Sequence, residues 1–569
     1  MTSDNYQKNL NSWLNDKAIS ASDKAEIQKL VDAGNTKELQ DRFYRQLEFG
    51  TGGMRGVVAA GTNRMNVYVI RQATEALCRY IKLQSPGKKK LAVFYDSRVH
   101  SRLFAEEAAS VIAGNGFRCL FTPVCSATPI LSFVVRKTKC DAGINITASH
   151  NPPEYNGYKV FWNQGEQIVA PHDTAIVAGF NSIKDFSEVH TIPFAEGVKN
   201  GSIEMLGEDV IQAYYDEVVK VCPGEKSNNA GLKLVYTPLH GVGGQYVQAL
   251  MKTRGFTDFT VVPTQAKPDG TFPTLKSPNP EDKAAFDEAK KTFSDYDLIV
   301  ATDPDADRLG CVIRENGELF QPNGNQIGVL LLDYVARQQK NKLSDHYFIS
   351  TVVSSPLLFR VAESFGLKTY QTYTGFKNIA EVVADRNAKG DKYLFACEES
   401  HGYQLGDFVR DKDGISAAVV FAEIMAEMKA KGQSLKGHLD SIYKKLGYQT
   451  DEQLSYTLKG IDGGDKIRQI MKSLRDASPK EINGIRVVNK TDFMKLGPDQ
   501  TGEGKIYEYC RGKADMLLFE LEGNARMLAR PSGTEPKIKF YVNVNRPEPG
   551  SPKETLNSIK NFLDKLCGA

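Results

Sequence analysis

The sequence predicts three successive α/β domains with largely parallel sheets, followed by a C-terminal α+β domain. Three observations predict it. Short apolar runs alternate with stretches of helical spacing between about residue 90 and residue 400, as strand–crossover–strand units require. The alternation falls into three rounds of about 110–150 residues, the length of one domain. The last stretch, 455–569, instead places several strands between helices, which is the α+β order.

Taken in order, the chain opens with helices. Tyr6, Leu10, Trp13 and Leu14 share one helical face. A second helix is expected to run through Phe43–Phe49 and to stop at Gly50. The first α/β round has strands at Leu91–Tyr95, Arg118–Thr122 and Gly143–Thr147, with a helix over Ser101–Ala113. The second has strands at Leu232–Thr237, Phe259–Pro263 and Leu298–Thr302, with helices over Gly244–Thr253 and Glu281–Thr292. The third has helices over Gln326–Arg337, Pro356–Phe365 and Asn378–Asp385, with strands at Tyr347–Val352, Lys368–Tyr373 and Tyr393–Ala396. The tail is expected to hold helices Lys466–Arg475 and Lys553–Leu566 and strands Ile485–Val488, Met516–Leu521 and Ile538–Asn543. Linkers are expected near Gly201–Gly207, Gln321–Gly324 and Gly447–Gln453.

Composition limits the function. The 569 residues allow several cores. With 72 basic against 69 acidic residues the formal charge is +3, so no bulk excess points to nucleic acid or to an acidic tail. The start is polar, without a signal-peptide or transit pattern, and no apolar run reaches membrane-spanning length. The nine cysteines are scattered and never form CxxC, which argues against zinc or disulfide frameworks and for a reducing cytoplasm.

Each α/β round carries an unusual polar segment just after a strand, where open parallel sheets gather ligands. In the first, Thr147-Ala148-Ser149-His150-Asn151-Pro152-Pro153 continues to Asn156-Gly157-Tyr158-Lys159. The prolines block a helix and Asn-Gly favours a turn, so the residues suggest a rigid exposed loop presenting a hydroxyl, an imidazole and an ammonium. That set suits an attacking hydroxyl, although an ordinary polar turn has the same composition.

In the second, Asp303-Pro304-Asp305-Ala306-Asp307-Arg308 sets three carboxylates on one side of an extended chain. Their repulsion is relieved by a hard divalent cation, Mg²⁺ or Ca²⁺. An EF-hand is excluded because its sixth and twelfth positions would be Arg308 and Arg314 instead of Gly and Glu. Open coordination positions would suit phosphoryl transfer; a solvated acidic turn is the alternative.

In the third, Cys397-Glu398-Glu399-Ser400-His401 offers partners for a polyol or makes a plain polar loop. In the tail, Arg530-Pro531-Ser532-Gly533-Thr534-Glu535-Pro536-Lys537 forms a compact anion cradle without P-loop spacing, or else a surface turn. Gly50–Gly56 reads as a flexible loop carrying Arg55, and Thr374-Gly375-Phe376-Lys377 puts a lysine at a strand end. His240 reads as a structural turn histidine. Together these segments fit phosphoryl transfer on a sugar phosphate.

From Leu47 to Tyr541 the chain resembles the α-D-phosphohexomutase superfamily. The Ser149, Asp303–Arg308, Glu398–Ser400 and Arg530–Lys537 segments match its four domain signatures in order, and LEFGTGGMRG, TPLHGVGG and SPNPE resemble its phosphoglucomutase/phosphopentomutase branch. The resemblance implies three related mixed-sheet α/β domains plus a C-terminal α+β domain around a central cleft. It implies domains at 1–204 (helices and nucleophile), 205–322 (metal), 323–450 (sugar) and 451–569 (phosphate).

It also implies roles. Ser149 is a phosphoserine nucleophile, and Asp303, Asp305 and Asp307 hold Mg²⁺ with it. His150, Lys159, Lys377 and Arg55 surround the transferring group, and Arg308 contacts the metal loop or phosphate. Glu398 and Ser400 meet the sugar, and Arg530, Ser532, Gly533, Thr534 and Lys537 grip the distal phosphate. The implied activity is phosphoglucomutase, through glucose 1,6-bisphosphate as activator and intermediate. A phosphopentomutase acting on ribose or deoxyribose 1-phosphate, or a phosphomannomutase, is the alternative. Cys397, where many members have Gly, leaves the sugar open. A cytoplasmic monomer or weak homodimer is expected, with a small sugar phosphate as its partner.

Overall fold

Runs of β-branched and aromatic residues bounded by glycine, proline and charge make the strands, and amphipathic stretches make the crossovers. The computed structural model describes residues 4–50, 53–84, 87, 89–183, 185–339, 343–458, 463–532, 537–548 and 551–568. The chain divides into two compact units. The first is 1–321 with 402–427, and the second is 322–401 with 428–569.

The first unit contains two mixed sheets. One runs, in spatial order, Gly53–Val57, Tyr155–Trp162, Ala142–Ile146, Lys90–Tyr95, Arg118–Phe121, Ile203–Met205. Only the first two of these strands are antiparallel to their neighbours. The other runs Glu318–Phe320, Leu309–Glu315, Leu298–Thr302, Leu234–Thr237, Phe259–Val261, again with an antiparallel edge. Strands Ala142–Ile146 and Leu298–Thr302 are buried along their whole length, as central strands covered on both faces should be. Three N-terminal helices, Asp4–Asn15, Ala21–Asp32 and Thr36–Phe43, close over Trp13, whose ring meets Phe43 and Tyr68 edge-on at 6.0 and 5.2 Å.

The second unit has three parallel strands, Lys368–Thr372, His346–Thr351 and Lys392–Glu398. It also has a six-stranded antiparallel sheet ordered Tyr448–Thr457, Lys537–Arg546, Ala525–Pro531, Leu517–Leu521, Ile485–Asp492, Glu481–Ile482. Helices Gly463–Asp476 and Ser551–Cys567 cover that sheet, burying Ile467, Met471, Ile559 and Leu563 against Phe519, Phe540 and Val542. The predicted class, three α/β domains and an α+β tail, is the observed one. All nine cysteines are free. Among the described residues no helix is long and apolar enough to cross a membrane.

Several local expectations are corrected. Gly53–Val57, read as part of a flexible loop, is an edge strand that pairs Arg55 with Gly157. Asn156 and Gly157, read as a turn, lie inside the neighbouring strand. Gly157 is required there by close approach: a Cβ would sit 2.4 Å from the Thr147 carbonyl and 2.8 Å from that of Met54. The helix expected to reach Phe49 ends at Phe43, and Leu47 and Phe49 instead join the sheet's core. The expected linker at 447–453 lies mostly in strand Tyr448–Thr457. The expected helix Glu281–Thr292 starts later, as a 3₁₀ turn Lys283–Phe286 continuing into Asp287–Thr292.

Candidate active site

Two fully buried strands of the first unit end side by side in chemistry. Strand Ala142–Ile146 delivers Thr147-Ala148-Ser149-His150, and strand Leu298–Thr302 delivers Asp303. The Ser149 loop is not the exposed loop expected from its polar sequence, since Ser149 is only 2 % exposed. Ser149 has a left-handed backbone with φ 50°. A non-glycine residue in that region is held there by its surroundings. One restraint is its own N–H, which donates to Thr147 Oγ1 at 2.9 Å.

The Ser149 hydroxyl donates to Asp303 Oδ2 at 2.7 Å and lies 3.1 Å from His150 Nδ1. Asp303 Oδ1 accepts the backbone N–H groups of Asp307 and Arg308, each at 3.0 Å, which folds the acidic loop back on itself. Asp305 Oδ2 accepts Lys159 Nζ and Thr128 Oγ1, both at 2.7 Å. Asn145, on the central strand, donates to Thr128 Oγ1 at 2.7 Å. Lys159, expected beside the transferring group, is therefore tied into the carboxylates and also stands 3.5 Å from Asp307 Oδ2.

Burial and the neighbouring carboxylates Asp307 and Asp305 push Asp303 well above the usual carboxylate range. Burial opposes ionisation of Asp305 as well, but Lys159 together with hydrogen bonds from Asp303 and Thr128 outweighs it and holds Asp305 below that range. Burial, with Arg308 and Arg55 nearby, pushes His150 well below the usual imidazole range, so the ring is neutral at pH 7. Arg308 pairs with Glu281, and Arg55 donates to Asn151 Oδ1 at 3.1 Å. Ser277 donates to the His150 carbonyl at 3.2 Å. His240 is a buried turn residue with φ 62°, its Nε2 2.9 Å from Thr274 Oγ1, consistent with a structural part.

The three aspartates fit a hard cation. One carboxylate oxygen from each lies within 4.8 Å of the others. The buried Oδ1 atoms of Asp305 and Asp307 find no hydrogen-bond donor among the described residues. Lys159 and Lys412 meet only the Oδ2 atoms of these two aspartates, and buried carboxylate oxygens left without a hydrogen-bond donor are costly, which a hard cation on the Oδ1 side would relieve.

Sequence reasoning missed two residues of this unit. Lys412 places Nζ 3.1 Å from Asp307 Oδ2 and 3.2 Å from Asp411 Oδ1. The signal was the run Arg410-Asp411-Lys412-Asp413, four buried charged residues heading the apolar helix Gly414–Ala430. Arg98, whose side chain is fully buried, donates to four carbonyl oxygens of the 149–155 segment. They are Pro152 at 2.7 Å, Tyr155 at 3.0 Å, Ser149 at 2.5 Å, and Asn151. The signal was Asp96-Ser97-Arg98 directly after strand Lys90–Tyr95.

In the second unit, Glu398 ends strand Lys392–Glu398 and accepts the Gly375 N–H at 2.6 Å. Gly375 has φ 112°, a conformation open to glycine, and starts the helix whose first turn holds Lys377. Burial and the charge of Glu398 raise the Glu399 pKa to about 7. Ser354 donates to Glu399 Oε2 at 3.1 Å. Ser400 follows, half-buried. In the antiparallel sheet, burial first and then the charge of Glu399 push the Tyr541 hydroxyl pKa up, and the nearby Arg530 opposes that shift. The Ser532 N–H donates to the Lys537 carbonyl at 2.8 Å. Gly533 and Thr534 lie outside the described residues.

Comparison with known proteins identifies the family. Residues 46–186, 212–317 and 323–446 match the family models for phosphoglucomutase/phosphomannomutase α/β/α domains I, II and III. The chain is 34% identical over 528 residues to a phosphoglucomutase of Staphylococcus aureus strain MRSA252, covering 92% of this chain and 94% of that one. Among solved structures it is similar to the exocytosis-sensitive phosphoprotein pp63/parafusin, a phosphoglucomutase from Paramecium. There the TM-score is 0.71 at 19% identity, covering 92% of this chain and 96% of the other. A phosphoglucomutase/phosphomannomutase family protein from Burkholderia thailandensis shares the fold with TM-score 0.63 at 19% identity, covering 91% of this chain and 97% of the other. The chain belongs to the phosphoglucomutase/phosphomannomutase family of the α-D-phosphohexomutase superfamily.

Proposed function

We propose that this mutase interconverts glucose 1-phosphate and glucose 6-phosphate through a phosphorylated Ser149. The observation that carries the proposal is Ser149 itself: a buried hydroxyl in a strained backbone, 2.7 Å from Asp303 within a cluster of three carboxylates. In the working enzyme Ser149 carries a phosphoryl group. Attack by the sugar's O6 breaks the Ser Oγ–P bond, forms the O6–P bond and gives glucose 1,6-bisphosphate. After the intermediate turns over, Ser149 Oγ attacks the phosphorus on O1. That step restores phosphoserine and releases glucose 6-phosphate, so one phosphoryl group returns for each one given.

Asp303, Asp305 and Asp307, with Ser149, would hold Mg²⁺, which when bound neutralises charge on the transferring phosphoryl oxygens. The chain's own residues supply position and cationic surroundings. Arg98 fixes the loop carbonyls, Lys159 and Lys412 balance the carboxylates, and the neutral His150 beside Ser149 can accept or return a proton. In the second unit Glu398 and Ser400 are proposed to take sugar hydroxyls and Arg530, Ser532 and Lys537 the distal phosphate, with Lys377 at the reacting end. We read one such segment per domain, at 1–204, 205–322, 323–450 and 451–569.

The test is steady-state kinetics with a substrate panel of glucose, mannose, ribose and deoxyribose 1-phosphates, each with its bisphosphate activator, on wild type and Ser149→Ala. Glucose 1-phosphate should give the highest kcat/KM, and Ser149→Ala should abolish turnover while staying folded. Full turnover by that variant refutes the nucleophile, and preference for a pentose or for mannose refutes the substrate.

A further inference from the structure

The first unit has a cavity of about 690 Å³, and none of its lining residues belongs to the Ser149–carboxylate site. That volume is in the range of small-molecule sites. It opens at the C-terminal end of helix Thr128–Lys137, and its wall includes Arg136, Lys137, Lys139, Asn163, Gln164 and Phe408.

The charge of this wall is unbalanced. Its two carboxylates are already paired: Asp141 with Lys89 Nζ at 3.3 Å and the Lys90 N–H at 2.9 Å, Glu217 with Lys220 at 2.8 Å. Lys137 and Lys139 are exposed, and neither forms an ion pair among the described residues. Arg136 donates to a carbonyl oxygen, that of Asp407, at 2.7 Å. Burial, and then the charge of Arg410, pull the Arg136 pKa down to about 10 against the opposing charges of Asp407 and Glu166. Arg136 and Arg410 share Asp407 and Glu166, so the unpaired charge is that of Lys137 and Lys139, and the helix C-terminus offers only about half a negative charge against it. A phosphate monoester brings about −1.5 to −2, which matches that remainder. The side-chain amides of Asn163 and Gln164 add donors and acceptors for hydroxyls.

The wall also leads to the catalytic carboxylates. Phe408 lines the cavity, and its ring meets Phe133 edge-on at 6.3 Å. Arg136 holds the Asp407 carbonyl, and the Arg410 N–H donates to Ser132 Oγ at 2.8 Å. Two residues later Lys412 reaches Asp307 at 3.1 Å. A ligand that draws Arg136 away from Asp407 loosens the segment that delivers Lys412.

We propose that this cavity is a second, regulatory anion site for a small phosphorylated metabolite, and that its occupancy alters turnover through Asp407–Lys412. The test uses the full chain and 3-phosphoglycerate as probe. Isothermal titration is run with glucose 1,6-bisphosphate saturating, so that the sugar-phosphate site is filled. One additional site is expected, weakened at least about tenfold in Lys137→Glu/Lys139→Glu, roughly 1.4 kcal/mol. Without the probe that variant should keep wild-type kcat and KM, since both lysines are exposed and outside the catalytic cluster. With the probe, kcat at saturating glucose 1-phosphate should change in wild type and stay constant in the variant. Absence of the additional site, equal binding by the variant, a purely competitive effect on KM, or binding without any change in kcat each overturns the proposal.

Discussion

Replacing Arg98 with lysine keeps the positive charge and removes the fork. The arginine side chain is fully buried beside the fully buried Asp96, with Nε 3.3 Å from Asp96 Oδ2. Its two terminal nitrogens together bind four carbonyl oxygens between Ser149 and Tyr155. The guanidinium carbon also sits 5.1 Å over the Phe272 ring. A planar guanidinium can reach carbonyls on two sides at once; a lysine ammonium is a point donor on a thinner stem. Charge attraction to Asp96 survives, but at least two of the four carbonyl contacts are lost. At about 1.5–3 kcal/mol for each hydrogen bond to a charged group, that costs roughly 3–6 kcal/mol before relaxation.

The structural consequence falls on the loop that carries Ser149. A misplacement of about 1 Å at a reacting atom costs on the order of 10²-fold in rate. Arg98→Lys should therefore lower the urea midpoint clearly and reduce kcat by about two orders of magnitude, with KM for glucose 1-phosphate changed much less. The checks are urea unfolding followed by circular dichroism and steady-state kinetics on the folded fraction. A variant with the wild-type midpoint and kcat would show that the four carbonyl contacts do not hold the Ser149 loop. A lowered midpoint with unchanged kcat would confine Arg98 to stability.

Lys412→Met removes a cation 3.1 Å from Asp307 and should lower kcat by about 10²-fold, the cost typical of deleting one preorganised electrostatic group; an unchanged kcat would make Lys412 a bystander. Mg²⁺ should raise the melting temperature of the wild type, in line with about 2.7 kcal/mol at one hundred times its dissociation constant, and Asp305→Asn should abolish most of that shift. An equal shift in the variant would remove Asp305 from the metal site. Glu399 supplies a pH prediction. Its folded pKa, raised to about 7, lies above the unfolded carboxyl value, so the native state holds the extra proton between about pH 4.5 and 7 and loses stability as pH rises through that window. Glu399→Gln should thus melt higher than wild type at pH 8 and at the same temperature at pH 4; a variant destabilised at pH 8 would show that the ionised carboxylate is favourable there.

What was legible in the sequence follows from what leaves a local pattern. Strand Leu298–Thr302 and helix Gly244–Thr253 have the bounds expected of them because apolar runs and helical spacing are written within a few residues. The acidic loop was legible for a similar reason, since three aspartates at alternate positions state their own repulsion. Gly53–Val57 and Tyr155–Trp162 were not legible as strands. Their sequences are rich in glycine, asparagine and tyrosine, and the pairing of Arg55 with Gly157 comes from about a hundred residues away. Lys412 was hidden for the same reason. A lysine in a charged run reads as solvated surface until the fold brings Asp307 beside it, and Tyr214 beside Asp413, where its hydroxyl reaches both carboxylate oxygens at 2.9 Å. Arg98 is the sharpest case. Nothing in Asp96-Ser97-Arg98 names a partner, because its partners are main-chain carbonyls, which every residue has and no sequence records. Side chains that act on backbone are invisible to motif reading. In this fold they set the shape of the loop that the most visible motif, Thr147–Asn151, only announces.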